Sequence, residues 1–299
     1  MLNEIDLIRR IANDLGMLPA HVKSIMVTAP LRYKVFEIPK RSGGMREVAQ
    51  PAREVKAIQR WIIKELMHSL PIHDAATAYR VGGSIRNNAE YHVNSRFMLK
   101  LDFSNFFPSI LGSDIVEHLN RYCVNEIDPK AMQLVAHVCC WVRERTPPLR
   151  LCIGAPVSPM LSNSIMFDFD TRLALVAAED DVLYTRYADD ITLSCRDRGK
   201  VDRYVGVVKN ILAEVSYPRL VINKSKTVYA SRASKRVVTG LVITPESKVS
   251  IGRDRKRLIR AMYHRSLTQE LSHEEIQRLN GLISFAESVE PGFLMRLKK

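Results

Sequence analysis

The 299-residue sequence has no uninterrupted apolar run long enough to cross a bilayer, which argues against a transmembrane span. Its first residues, "MLNEIDLIRRIANDLGM", carry acids in an amphipathic helical pattern and do not resemble a signal peptide, so a cytoplasmic protein is expected. Cysteine is sparse and odd in number (Cys123, Cys139, Cys140, Cys152, Cys195), and no zinc spacing occurs among the five. The His137/Cys139/Cys140 group reads as small apolar residues on a buried helix rather than as metal ligands. No internal repeat or low-complexity segment stands out.

Acid is the scarcer charge, with 32 Asp and Glu against 45 Lys and Arg, a net of +13. From Arg219 to Arg260 there are twelve basic and two acidic residues, so this segment alone holds +10 of that excess. A one-sided field suits a polyanion, foremost nucleic acid. An acidic membrane surface is the competitor, but "SKVSIGRDRKRLIRAMYHR" has little of the apolar moment that a membrane surface requires. With 46% hydrophobic residues, the chain has material for one large or two ordinary domains.

Helical spacing covers residues 1–28, 52–70, 112–124, 129–145, 200–215, 253–271 and 273–288. "YKVFEIPKRSGGMREVAQP" reads as a hairpin around Ser42-Gly43-Gly44. Residues 72–97 read as loop, 97–103 as a strand, and "VVTGLVIT" as another strand. "TPPLRLCIGAPVSPMLSN" is a proline-rich loop opening a helix that runs to about Ala178. "VLYTRYADDITLSC" is a hairpin. Helices and strands mix without βαβ alternation, which favours an α+β fold with an antiparallel sheet.

Asp189 and Asp190 lie side by side at the hairpin tip, where like charges repel. Asp102 ends an apolar strand, where an acid is costly unless it is paired, metal-bound or capping the following turn. Cap and ligand are equally good readings of Asp102 alone. Three such carboxylates together suit hard divalent cations, whose chemistry is phosphoryl transfer. Cations would also relieve the repulsion.

At this point the sequence resembles the reverse transcriptases. The Asp102 strand is similar to their motif A and "YADD" to motif C. "GAPVSPMLSN" at 154–163 resembles motif B, "NKSKT" at 223–227 motif D, and "VVTGL" at 237–241 motif E. Asn88-Ala89-x-x-His92 resembles the NAxxH signature of retron enzymes, and Val238-Thr239-Gly240 their VTG signature. The ordered set covers residues 33 to 245.

The resemblance implies a right-hand polymerase: fingers over 1–100 with part of 121–153, a palm with antiparallel sheet over 101–245, and a small basic helical thumb over 246–299. Asp102, Asp189 and Asp190, with the Phe103 backbone carbonyl, would hold two Mg²⁺ ions, with Mn²⁺ able to substitute. Lys226 would protonate the leaving pyrophosphate, or else contact a nucleic-acid backbone. Lys40, Arg41 and Arg46 would meet the triphosphate of a dNTP, the bland alternative being a charged, soluble hairpin tip. Gly154 and Ala155 would cradle the nucleotide, and Phe107 would exclude a ribose 2′-OH, one of Phe106 and Phe107 being a core aromatic. Asn88, His92, Val238, Thr239 and Gly240 would serve RNA and primer recognition. The alternative for Asn88 and His92 is a loop held by their own hydrogen bonds. Arg253, Arg255, Lys256 and Arg257 would track the duplex. Many family members carry Gln where Ile153 stands, so contacts assigned to that Gln do not transfer.

The implied partners are a cognate structured noncoding RNA, its branched RNA–DNA product, dNTPs, an effector (toxin) protein and host RNase H, since the chain is short for a nuclease domain of its own. The alternatives are another bacterial reverse transcriptase, defence-associated or intron-like, and a catalytically silent RNA-binding relative.

Overall fold

The computed structural model describes residues 1–40, 43–268 and 271–298, so Arg41 lies outside the described residues. The stretch with helical spacing at 1–28 forms two helices, α1 (Glu4–Leu15) and α2 (Pro19–Thr28), because Gly16 takes a left-handed φ of 64° and ends the first. Asn3 caps α1 by accepting from the Asp6 amide, and Leu7, Ile8, Ile11 and Ala12 form its buried face. The expected hairpin is β1 (Tyr33–Pro39) with β2 (Met45–Pro51), in register from Tyr33↔Pro51 to Pro39↔Met45. Helix α3 (Arg53–Glu65) follows. Within the stretch read as loop, Ser84 caps a short helix, α4 (Ile85–Glu90), by accepting from the Asn87 amide.

Strand β3 (Phe97–Asp102) leads into α5 (Phe106–Ser109), α6 (Gly112–Tyr122) and α7 (Pro129–Cys139). Helix α7 stops short of the expected residue 145. Cys140 is extended, and Trp141–Arg143 forms β4, paired with β5 (Thr146–Arg150). The turn between them, Glu144 and Arg145, has both residues at positive φ, as tight hairpins require. The long helix expected up to Ala178 is divided at Met166 into α8 (Ser158–Ile165) and α9 (Phe167–Glu179).

Next come β6 (Leu183–Tyr187), β7 (Asp190–Cys195), α10 (Arg198–Asp202), α11 (Tyr204–Glu214) and β8 (Val228–Ser231). "VVTGLVIT" is not one strand. It folds back at Thr239 and Gly240, φ 47° and 79°, into β9 (Arg236–Val238) and β10 (Leu241–Ile243), joined by β11 (Val249–Ser250). The chain closes with α12 (Arg253–Thr268), α13 (His273–Val289) and α14 (Phe293–Leu297).

The fold is therefore α+β. Its central antiparallel sheet has the order β6-β7-β3-β8. The main core joins the sheet residues Leu99, Leu101, Ile191 and Leu193 to helices on either side in sequence. A second core gathers Ala89, Val238, Leu241, Ile259, Ala286 and Phe293, so α4 packs with β9–β11 and the terminal helices. No described helix is long and apolar enough to cross a membrane.

Candidate active site

Strands β3 and β7 pair so that Asp102 faces Asp190 across the ladder. The β6–β7 turn holds Ala188 at φ 56° and Asp189 between the paired residues Tyr187 and Asp190. The Phe103 amide donates to the Asp189 carbonyl at 3.2 Å, tying the turn to the end of β3. All three expected acids thus meet at one sheet end.

Their electrostatics follow from that convergence. Burial first, then the Asp102 and Asp190 charges, push the Asp189 carboxyl up to about 6. Burial also raises Asp190, against the opposing charge of Lys100. Asp102 is 5% exposed and receives the Lys226 ammonium at 2.9 Å on Oδ1 and 2.8 Å on Oδ2. Those hydrogen bonds raise the Lys226 pKa. A 3-10 turn, Lys224–Lys226, delivers the lysine, and the Asn223 amide anchors it by donating to the Asp102 carbonyl at 2.7 Å.

Among the described residues no three His, Cys, Asp or Glu side chains form a ready cation cage. The donor set nevertheless fits a hard divalent cation. Three converging carboxylates, with Asp189 raised by burial and then by its two acidic neighbours, are the oxygen donors such ions take, and Lys226 already supplies a compensating positive charge to Asp102.

On the hairpin β1–β2, Lys40 closes the tip through its amide, which donates to the Gly44 carbonyl at 2.9 Å, and Arg46 is exposed opposite Ile38. Tyr79 lies against Tyr187 with ring centroids 6.4 Å apart, and burial first, then the Asp189 charge, raises its phenol. Gly154 has φ 114°, and a Cβ there would lie 2.8 Å from the Ala49 carbonyl, so the loop before α8 meets β2 backbone to backbone. The Ala49 amide donates to the Ile153 carbonyl at 2.9 Å, and Ala155 is buried. Phe106 is the core aromatic, stacked on Phe103, while Phe107 stays partly exposed.

The retron-like stretches lie elsewhere. His92 is wholly buried, with Nδ1 2.6 Å from Ser194 Oγ and Nε2 2.8 Å from Thr185 Oγ1. Ser194 Oγ lies in turn 2.8 Å from Ser95 Oγ, so the ring joins a buried chain of hydroxyls. Burial lowers the His92 pKa to about 3. Both ring nitrogens are committed to β6 and β7, the strands that flank the acidic turn, so the His92 ring is occupied within the fold. Asn88 is buried too, its Oδ1 without a partner. Val238 is a core residue, and Thr239 Oγ1 donates to the Ile85 carbonyl at 3.1 Å. The two signatures are one packed unit joining α4 to the β9–β10 turn.

The basic segment is divided in use. Arg255 Nη1 donates to the Gly240 carbonyl at 2.9 Å and its guanidinium lies over Phe285, while Lys256 pairs with Glu290 at 2.7 Å. Arg236 is buried and donates to the carbonyls of Ser95 and Thr244. Arg253, Arg257 and Arg260 stay exposed. Part of the basic segment between Arg219 and Arg260 is thus spent on contacts within the fold. All five cysteines are buried free thiols, and burial pushes Cys152 up to about 12, so no thiolate chemistry arises there.

Sequence reading missed Lys100, two positions before Asp102 on the same strand face, and Asn223. It also missed Arg186, wholly buried against Asp170 behind the catalytic turn. Lys100 alone carried a signal, as the one cation interrupting an apolar strand.

Residues 38–251 match the family described as reverse transcriptase (RNA-dependent DNA polymerase). The chain is 42% identical over 269 residues to the retron Ec83 reverse transcriptase of Escherichia coli, covering 89% of this chain and 86% of that one. It is 33% identical over 271 residues to the retron Ec86 reverse transcriptase of Escherichia coli, covering 90% and 80%. Among solved structures it resembles the foamy viral protease-reverse transcriptase in complex with RNA/DNA hybrid, with TM-score 0.50 and 16% identity over 86% of this chain. It spans only 27% of that longer chain, so this likeness concerns the fold alone.

Proposed function

This chain belongs to the reverse transcriptases, as an RNA-directed DNA polymerase of the retron type, and we propose that it copies part of a cognate structured noncoding RNA, starting from the 2′-OH of a guanosine in that RNA. The product is a branched RNA–DNA molecule. Its use is antiphage defence, in the cytoplasm and with an effector protein, and a host RNase H removes copied template. The convergence of Asp102, Asp189 and Asp190 at one sheet end, with Lys226 on Asp102, is the observation that carries the catalytic part of this reading.

Asp102, Asp189 and Asp190, with the Phe103 carbonyl, would hold two Mg²⁺ ions. When bound, these supply the positive charge that polarises a primer hydroxyl and neutralises the triphosphate. The chain's own groups do the rest. Above pH 6 Asp189 is ionised and available as a ligand. Lys226, whose ammonium sits on both Asp102 oxygens and is half exposed, would be the proton donor within reach of the leaving group. The primer hydroxyl gives its proton to solvent as its oxygen bonds to the α-phosphate, the bond to pyrophosphate breaks, and Lys226 Nζ gives a proton to that pyrophosphate. Arg46 forks onto phosphate oxygens and Lys40 adds a compact charge. The partly exposed Phe107 closes the space a ribose 2′-OH needs. Gly154 and Ala155 supply a backbone wall for the nucleotide.

The test is to express the gene with its native flanking DNA, purify the protein and extract its nucleic acid. A discrete DNA whose mobility shifts after RNase and a debranching enzyme supports 2′-primed synthesis. RNA alone, or heterogeneous linear DNA, removes the branched product from the account.

A further inference from the structure

Arg186 lies three residues before Asp189, and its side chain is 0% exposed, as is that of Asp170. All three guanidinium nitrogens have partners. Nε and Nη2 fork onto Asp170 at 2.8 and 2.6 Å, and Nη1 donates to Asn163 Oδ1 at 3.2 Å and to the Ala188 carbonyl at 3.0 Å. Tyr184 Oη donates to Asp170 at 2.6 Å, and Asn163 Nδ2 to the Ala78 carbonyl at 2.8 Å. The main chain of Arg186 is also held: its amide donates to the Ala75 carbonyl at 2.7 Å, and its carbonyl accepts from the Thr77 amide at 2.8 Å.

A buried arginine–carboxylate pair is a poor way to gain stability, since apolar replacements often serve as well. The fourth bond indicates another use. Ala188 carries a Cβ yet sits at φ 56°, a conformation that persists where the surroundings enforce it. The Ala188 carbonyl and the Asp189 amide belong to one rigid peptide plane. Fixing that carbonyl fixes the plane from which the Asp189 side chain departs.

We propose that Arg186, clamped by Asp170 and Asn163, is a positioning residue that sets the Ala188–Asp189 peptide and so keeps the Asp189 carboxylate beside Asp102 and Asp190. Asn163 and Asp170 come from α8 and α9, directly after the Gly154–Ala155 loop. The helices that follow the nucleotide wall are thereby tied to the acidic turn. The proposal rests on the reading of these acids as the cation-binding group of a polymerase.

The test compares the full-length wild type with Arg186→Lys and Asn163→Ala. Lysine keeps the charge facing Asp170 but cannot reach Asp170, Asn163 and Ala188 together. Three readouts are taken: thermal unfolding, Mn²⁺ binding by electron paramagnetic resonance without nucleic acid, and dTTP incorporation on poly(rA)·oligo(dT). The expected result for Arg186→Lys is a kcat per folded molecule lowered by about ten- to a hundredfold, weaker Mn²⁺ binding and little change in KM for dTTP. Asn163→Ala moves the same way by a smaller factor and decides the matter alone should Arg186→Lys fail to fold. Wild-type Mn²⁺ binding and kcat per folded molecule in the folded variants overturn the proposal. A wild type that binds Mn²⁺ yet makes no DNA removes the polymerase reading, while Mn²⁺ binding by the variants still judges the role of Arg186.

Discussion

Lys226 donates to both carboxylate oxygens of Asp102, at 2.9 and 2.8 Å. The lysine is half exposed and the aspartate is not, so the pair is a mobile cation seated on a fixed anion. A divalent ion that takes Asp102 as a ligand competes with Lys226 for it. Lys226→Ala is therefore expected to bind Mn²⁺ more tightly than wild type while turning over more slowly, by roughly 10²-fold if the proton to pyrophosphate comes from this group. Mn²⁺ titration alongside single-turnover kinetics checks both arms. Weaker Mn²⁺ binding with unchanged turnover contradicts the assignment.

Burial, and then the charges of Asp102 and Asp190, disfavour the ionised form of Asp189. Its carboxyl is raised from 3.8 to about 6, so its contribution to stability is fully present below pH 3.8 and is lost as pH rises through 6. In EDTA, Asp189→Asn should be more stable than wild type at pH 8, by at most roughly 2–3 kcal/mol, and no more stable near pH 3.5. Thermal unfolding at the two pH values measures this. A gain that is equal at both, or absent at pH 8, shows that the acidic turn is unstrained.

His92 staples the catalytic hairpin through Thr185 and Ser194. His92→Ala leaves buried hydroxyls unpaired and should cost about 2–4 kcal/mol in urea unfolding. RNA affinity per folded molecule should change little. A stable variant with lost RNA binding would return His92 to direct recognition.

The exposed and the clasped cations should separate by salt. Arg253→Ala with Arg257→Ala should lower the slope of log affinity against log salt by about 1–2 for an RNA–DNA duplex. Arg255→Ala removes the hold on the Gly240 carbonyl and should instead lower the thermal stability of the C-terminal helices. Filter binding over a salt series and calorimetry distinguish the two. Identical slopes for the double variant and wild type place the duplex elsewhere.

The acidic cluster was legible in the sequence because a strand-end Asp and an Asp-Asp turn are expensive anywhere but at such a site. Helix and strand periodicity located most of the sheet. What failed was local chemistry that depends on positive φ: Thr239 and Gly240 turn a run that reads as one strand, and Glu144 and Arg145 end a run that reads as helix. Burial of polar groups was not legible either. Nothing in the chain's pattern says that His92 spends both nitrogens on strands about a hundred residues away, or that Arg186 finds Asp170 on a helix. Those partners exist only once the sheet and helices have packed.

The central claim is that Asp102, Asp189 and Asp190 form a DNA-synthesising centre. Its most direct test is incorporation of labelled dNTPs on a primed RNA template by purified wild type and by Asp189→Asn/Asp190→Asn, with template binding measured in parallel. The account predicts RNA-templated DNA from the wild type, and template binding without synthesis from the variant. Undiminished synthesis by the variant would contradict it.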